Sequence, residues 1–284
     1  MIYYGMLATA SAMFGTQFLF NQMFRRNFKS NNMEATAVFG FGGAIFGFLS
    51  LLLVNGFCFE YSHFSMLMAI IKTLNGFLFT YCSMKALGKI NLSLYATFSM
   101  LGGMALPFAA GILFFNEELT VEKGICFALI SLSFLLTMKK EESEKTEKKY
   151  YVGVFLFNGM AGVISKFYTA APYERISAAG YSILAALLSI AVYMVMLIYL
   201  EPDLKKLNVK AAGSILGGGI FNNIANWLML IALAYVPASA EYPFITGGTM
   251  IVSTILSYFV KDRPSKRELL SVLIALIGVI ALIL

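Results

Sequence analysis

Three ionisable residues stand where an apolar chain has least use for charge: Lys72 in AIIKTLNG, Lys166 in GVISKFYTA and Glu241 in VPASAEYPFITGG. Taking such a group out of water costs several kcal/mol unless it is paired, hydrogen-bonded or neutralised. Each is therefore a candidate for substrate recognition or proton coupling. Each also has a structural reading. A lysine stem close to a helix end can snorkel to the headgroups, and a carboxylate in the first turn of a helix is favoured by the helix dipole.

The second group is neutral. The stretch GGGIFNNIANW carries Asn222, Asn223, Asn226 and Trp227. Asn222 and Asn226 are four apart and share one helix face. That face either lines a pocket or hydrogen-bonds a neighbouring helix. Trp227, the only tryptophan, suits a pocket wall. Gln17 and Asn75 are candidates of the same kind, and Tyr242 sets an aromatic ring beside Glu241. Catalytic material is scarce. With one histidine (His63) and no Walker A pattern, triads, multi-histidine metal sites and ATP binding have nothing to build on. Three widely spaced cysteines, Cys58, Cys82 and Cys126, read as small packing residues. The expectation is recognition without catalysis: no enzyme, no metal and no cofactor.

The elements that must position these residues follow from composition. Of the 284 residues 59% are hydrophobic and 13% charged, with a mean hydropathy of +0.78. A soluble domain carries about a quarter charged residues, so lipid is the expected solvent. A membrane-crossing helix needs about 20 mostly apolar residues. Ten runs qualify, at 2–23, 35–54, 64–84, 91–115, 121–138, 150–170, 176–199, 211–234, 238–260 and 267–284. The first has no basic leader region and reads as a retained span. Gly40, Gly42, Gly43 and Gly47 mark the second as a close-packing surface. The hydrophilic segment KKEESEKTEKK, 139–149, divides the chain into a first unit, 1–138, and a second, 150–284. Seventeen of the 21 Lys and Arg fall on connections after odd-numbered spans and two on the others. By the positive-inside rule both termini are predicted extracellular. The basic pI thus reports orientation and implies no nucleic-acid partner.

Two stretches repeat at an offset of 146 residues. Ala86–Met104, ALGKINLSLYATFSMLGGM, aligns with Ala232–Met250, ALAYVPASAEYPFITGGTM, pairing Ser93 with Ser239, Phe98 with Phe244 and Gly102 with Gly248. The turn Asn116–Thr120 then stands opposite 262–265, and Tyr95 stands opposite Glu241. Two units of five spans each must lie in the membrane with opposite topology. Lys72, Lys166 and Glu241 then fall at similar depth in one half of the bilayer.

The segment ALAYVPASAEYPFITGG…SYFVKDRPSKRELLSVLIALIGVIAL resembles the end of drug/metabolite transporters, specifically their ten-helix EamA-like branch. The carriers of the resemblance are Ala-Leu-x-Tyr-Val-Pro, the following Gly-Gly helix, a short charged turn and a terminal Leu/Ile/Val/Gly-rich helix. The resemblance implies alternating-access transport of small polar metabolites, amino acids or organic cations, with proton coupling in many members. The chain departs from relatives with an acidic turn after span 4 (NEELTVEK) and a basic one after span 9 (KDRPSKRE). The expectation is an all-α integral membrane protein of ten spans, two inverted five-helix repeats and a central cavity. It sits in the plasma membrane as a monomer or homodimer and moves an amino acid, amine or related organic ion. The competing readings are an organic-cation or drug exporter and a lipid flippase.

Overall fold

The computed structural model describes residues 1–29, 32–87, 92–137, 148–257 and 265–283. Ten α-helices follow one another among them: α1 (Ile2–Asn27), α2 (Asn32–Val54), α3 (His63–Leu87), α4 (Leu92–Phe114), α5 (Val121–Thr137), α6 (Lys148–Ala170), α7 (Ala178–Leu200), α8 (Val209–Ala232), α9 (Ala238–Ser257) and α10 (Lys266–Ile283). No strand occurs among the described residues. Most of the charged 139–149 segment, the Tyr95 side chain and the 262–264 part of the repeat lie outside the described residues.

Each helix falls on one of the ten apolar runs. Where no water reaches the backbone, only internally bonded helices satisfy every N–H and C=O. Hydropathy and helicity end at different places. α1 continues through Arg25 and Arg26 to Asn27, past the point where the apolar run stops, because charge ends a hydrophobic window but not a hydrogen-bond ladder. Five helices, α2, α3, α6, α7 and α8, are long and apolar enough by themselves to cross a bilayer. Their outward faces agree with lipid contact: Ile70, Leu74, Phe77 and Leu78 on α3, and Val195 and Ile198 on α7, are exposed. The protein is thus a multi-pass integral membrane protein.

Local chemistry sets the helix ends. Ser177 caps α7 through Gly180 N (3.0 Å), and Asn208 caps α8 through Ala211 N (2.8 Å). Glu201, in the left-handed region at φ 44, ends α7 just before Pro202.

Helices of the first unit pack chiefly on helices of the second. α1 lies against α8 and α9, and α6 against α3 and α4; α2 lies against α7 and α8, α4 against α9, and α5 against α10. The largest core joins Leu7, Met104, Ile130, Phe134, Ala240, Phe244 and Met250. Glycines allow the closest approaches. A Cβ on Gly219 of α8 would stand 2.6 Å from the Gly43 backbone of α2, so position 219 needs glycine, whereas a Cβ on Gly43 would make only ordinary contact at 3.5 Å. Gly40 faces Tyr193 and Gly47 faces Asn223, which makes this side of α2 a packing surface. Cys82 and Cys126 are buried in packing clusters, as expected, but Cys58 is exposed in the α2–α3 connection. The neighbouring apolar residues that suggested burial, Phe57 and Phe59, are exposed there too.

Candidate functional site

α9 begins after Pro237, which offers neither an amide proton nor a capping side chain. The first two amides of the helix, those of Ala238 and Ser239, donate to the two oxygens of Glu117, 2.8 Å each. The next two, of Ala240 and Glu241, return to the Pro237 carbonyl, 2.9 Å each. Glu117 therefore completes the start of α9 from another element, with the negative charge placed where the helix dipole favours it. Lys166 of α6 closes the arrangement, its ammonium 2.8 Å from Glu117 Oε1.

The α4–α5 connection is shaped to deliver Glu117. Asn116 takes the left-handed conformation (φ 51), which asparagine tolerates better than most residues. That turn brings Glu117 N back to the Gly111 carbonyl at 3.0 Å. A Cβ on Gly111 would collide with the Glu117 carboxylate, so a glycine on α4 leaves the space it occupies. Burial opposes the charge on Glu117, but the hydrogen bonds from Lys166, Ser239 and Ala238 together outweigh it and hold the carboxyl below the usual 4.5.

Deeper along α9 lies Glu241, with no exposed surface. Residues 238–245 are all buried, so this carboxylate is enclosed by protein rather than placed at an interface. Neither of its oxygens has a hydrogen-bond partner. Its charged neighbours are Lys166 and Glu117. Tyr242 lies beside it and donates from its hydroxyl to the Gly162 carbonyl of α6 at 3.1 Å. Its ring occupies the space a Cβ on Gly162 would take.

The structure thus brings Glu241, Lys166 and Tyr242 together and adds Glu117. Lys72 sits half-buried on α3, its ammonium 5.2 Å from the centre of the Tyr181 ring. Tyr181 stacks on Tyr168 at 3.9 Å and lies within electrostatic reach of Tyr242. An aromatic group on α6, α7 and α9 therefore stands between Lys72 and the acidic site. The remaining nominees are placed differently. Asn75 is buried and donates to the Phe157 carbonyl at 2.8 Å, joining α3 to α6. Asn226 donates to the carbonyl and side chain of Asn222 within α8. Asn223 donates to Gly219 and reaches Gly43 of α2 at 3.4 Å. Trp227 packs with Leu51, Leu52 and Ile183 in a separate cluster on α2 and α7. Gln17 is half-buried on α1.

Sequence reasoning missed Glu117 because it lies in a short acidic turn beyond a span, where a solvated loop residue is the default. The signal was there: an Asn-Glu step shortly after Gly111, in the acidic connection NEELTVEK. A second carboxylate on the same end acts alike. Glu60, in the α2–α3 connection, accepts from Ser177 N (2.6 Å) and Ser177 Oγ (2.5 Å), at the cap of α7. Those bonds hold its carboxyl below the usual range. Ser62 and Ser65 tie the α2–α3 side to the backbone of Glu174 and Ile176. First-unit side chains therefore fasten this end to the start of α7 and α9. A cavity of about 100 Å³ lies toward the opposite end, between α1, α2 and α7, beside Asn21, Arg25, Thr36 and Tyr193. None of the residues nominated from sequence lines it.

Comparison with known proteins agrees with this architecture. Residues 150–284 match the EamA-like transporter family. No curated protein matches the chain. One solved crystal structure, 15% identical, superposes with a TM-score of 0.75 over 99% of this chain and 98% of its own, which establishes a shared fold. The second five-helix unit, from residue 150 onward, is thus the part of the chain that resembles EamA-like transporters.

Proposed function

We propose that the protein is a secondary active transporter that moves a small polar metabolite, an amino acid, amine or related organic ion, by alternating access. The observation that carries this reading is Glu241: a carboxylate enclosed on every side, without a hydrogen bond, in the EamA-like half of the chain. A group so costly to bury is retained where a proton or a cationic group visits it. Lys166, Tyr242 and Lys72 then set charge recognition around it. The inverted-repeat reading is supported by the helix neighbours. Exchanging α1–α5 with α6–α10 in order turns the α1–α8 contact into α6–α3, α1–α9 into α6–α4 and α2–α8 into α7–α3, all of which occur. The family match also begins at residue 150, where the second unit was placed.

In proteoliposomes, Glu241→Gln and Lys72→Met should each reduce uptake or counterflow of the substrate at least tenfold. Unchanged transport in both variants would refute the site. Candidate substrates come from a thermal-shift screen of amino acids, amines, nucleosides and sugars, because a ligand of the folded state raises stability with concentration. A second reading, an organic-cation exporter, is favoured by the unbonded Glu241 oxygens beside Tyr242. It predicts stabilisation by quaternary amines and none by zwitterions.

A further inference from the structure

Glu241 has Lys166 as its neighbouring cation, yet Lys166 is engaged elsewhere, 2.8 Å from Glu117. Glu117 does not depend on the lysine alone, because the Ala238 and Ser239 amides also satisfy its oxygens. Lys166 therefore stands between a carboxylate with other partners and a carboxylate with none. On the other helices around α9, Tyr3 and Tyr4 of α1, Cys126 of α5, Tyr181 of α7 and Tyr242 itself are hydroxyls and a thiol that add no charge near neutral pH. The charged groups are Glu122, exposed in the first turn of α5, Lys123, which donates to the Glu118 carbonyl at 2.7 Å, and Arg25 and Arg26 in the last turn of α1, at the far end of that helix. The described side chains of α4 include no titratable group, and Lys266, Arg267 and Glu268 of α10 sit at the other end of that helix.

We propose that Glu117 is a positioning residue that holds Lys166 away from Glu241, leaving Glu241 as a neutral acid able to exchange a proton. When Glu241 ionises, its O–H bond breaks and the proton passes to water or to a basic group on the substrate. The new carboxylate then draws Lys166 across from Glu117, and reprotonation returns it. The tie between α6 and the α4–α5 connection is released and remade with each proton, which links the proton to the fastening of this end. This deepens the reading of Glu241 as the coupling residue and rests on it.

Infrared difference spectroscopy of the purified protein in lipid tests it. The probe is pH alone, and the signal is the carboxylic-acid C=O band that disappears in Glu241→Gln. In Glu117→Gln the freed lysine favours the carboxylate, so the band should be lost at a pH lower by about one unit, a tenfold change in proton affinity. Lys166→Met should move it the opposite way, since Glu117 then repels a second negative charge without compensation. Gly111→Ala, which displaces the Glu117 carboxylate without removing a charge, should shift it in the same direction as Glu117→Gln. It also carries the test if Glu117→Gln does not assemble. A band unmoved by Glu117→Gln and Gly111→Ala overturns this inference and leaves the transporter reading standing. A wild type with no Glu241 band at any pH overturns both.

Discussion

Glu117 accepts hydrogen bonds from Ala238 and Ser239 and pairs with Lys166, all at 2.8 Å, so its removal has consequences of two kinds. Glu117→Ala would strand two amides at the start of α9 and leave Lys166 without its partner. Each uncompensated group costs about 1–3 kcal/mol, and the loss should appear as a lower midpoint of thermal unfolding in detergent. The pH dependence has a definite sign. Folded Glu117 binds its proton less tightly than the ordinary carboxyl at 4.5. Its stabilisation is therefore complete above that value and is lost as pH falls through the lower folded one. Wild-type stability should fall on this acid limb, and the Glu117→Ala variant should show a flatter one. A limb of equal slope in both would remove Glu117 from the account. At this scale the sequence was partly legible. Glu241 and Lys166 announced themselves by sitting in apolar runs. Glu117 did not, because a carboxylate in a polar turn looks solvated until the fold shows what it touches.

Among the elements, α2 and α8 give the sharpest test of packing. Gly219 and Gly213 lie on the same helix, yet a Cβ at 219 meets the Gly43 backbone at 2.6 Å while one at 213 meets nothing within 4 Å. Gly219→Ala should cost about 1–3 kcal/mol, because backbone cannot swing aside as a side chain can. Gly213→Ala should be neutral or stabilising by up to about 1 kcal/mol, from helix propensity. Thermal melts of the two variants settle the point, and equal costs would mean that α2 and α8 do not pack this closely. The glycine stripe of α2 was readable as a packing surface from its spacing. Its partners on α7 and α8 were not, because they are more than 140 residues away in the chain.

For the whole molecule, the arrangement of ends matters most. Glu60, Ser62, Ser65 and Glu117 from the first unit fasten the starts of α7 and α9 and the turn before α7 in the second. We read this as a transporter closed at one end. The positive-inside count predicts that this end faces outward. A reporter fused after Leu284 should therefore be accessible from the extracellular side, and a cytoplasmic signal would reverse the orientation. Reversal would exchange outside for inside without altering the charge cluster, so orientation and site stand or fall separately.

Solvent and backbone chemistry made the sequence sufficient for one set of conclusions. Ten apolar runs became ten helices because a backbone in lipid has few other ways to satisfy its polar groups. The buried charges were visible because nothing else in those runs resembles them. Partnership required the tertiary structure. Whether Lys166 pairs with Glu241 or with Glu117 depends on where the six-residue connection after α4 comes to rest against the start of α9. Contact between residues some 120 positions apart is a property of packed helices, which no local pattern encodes. That packing made Glu241 a carboxylate without a hydrogen-bond partner and Glu117 one with three.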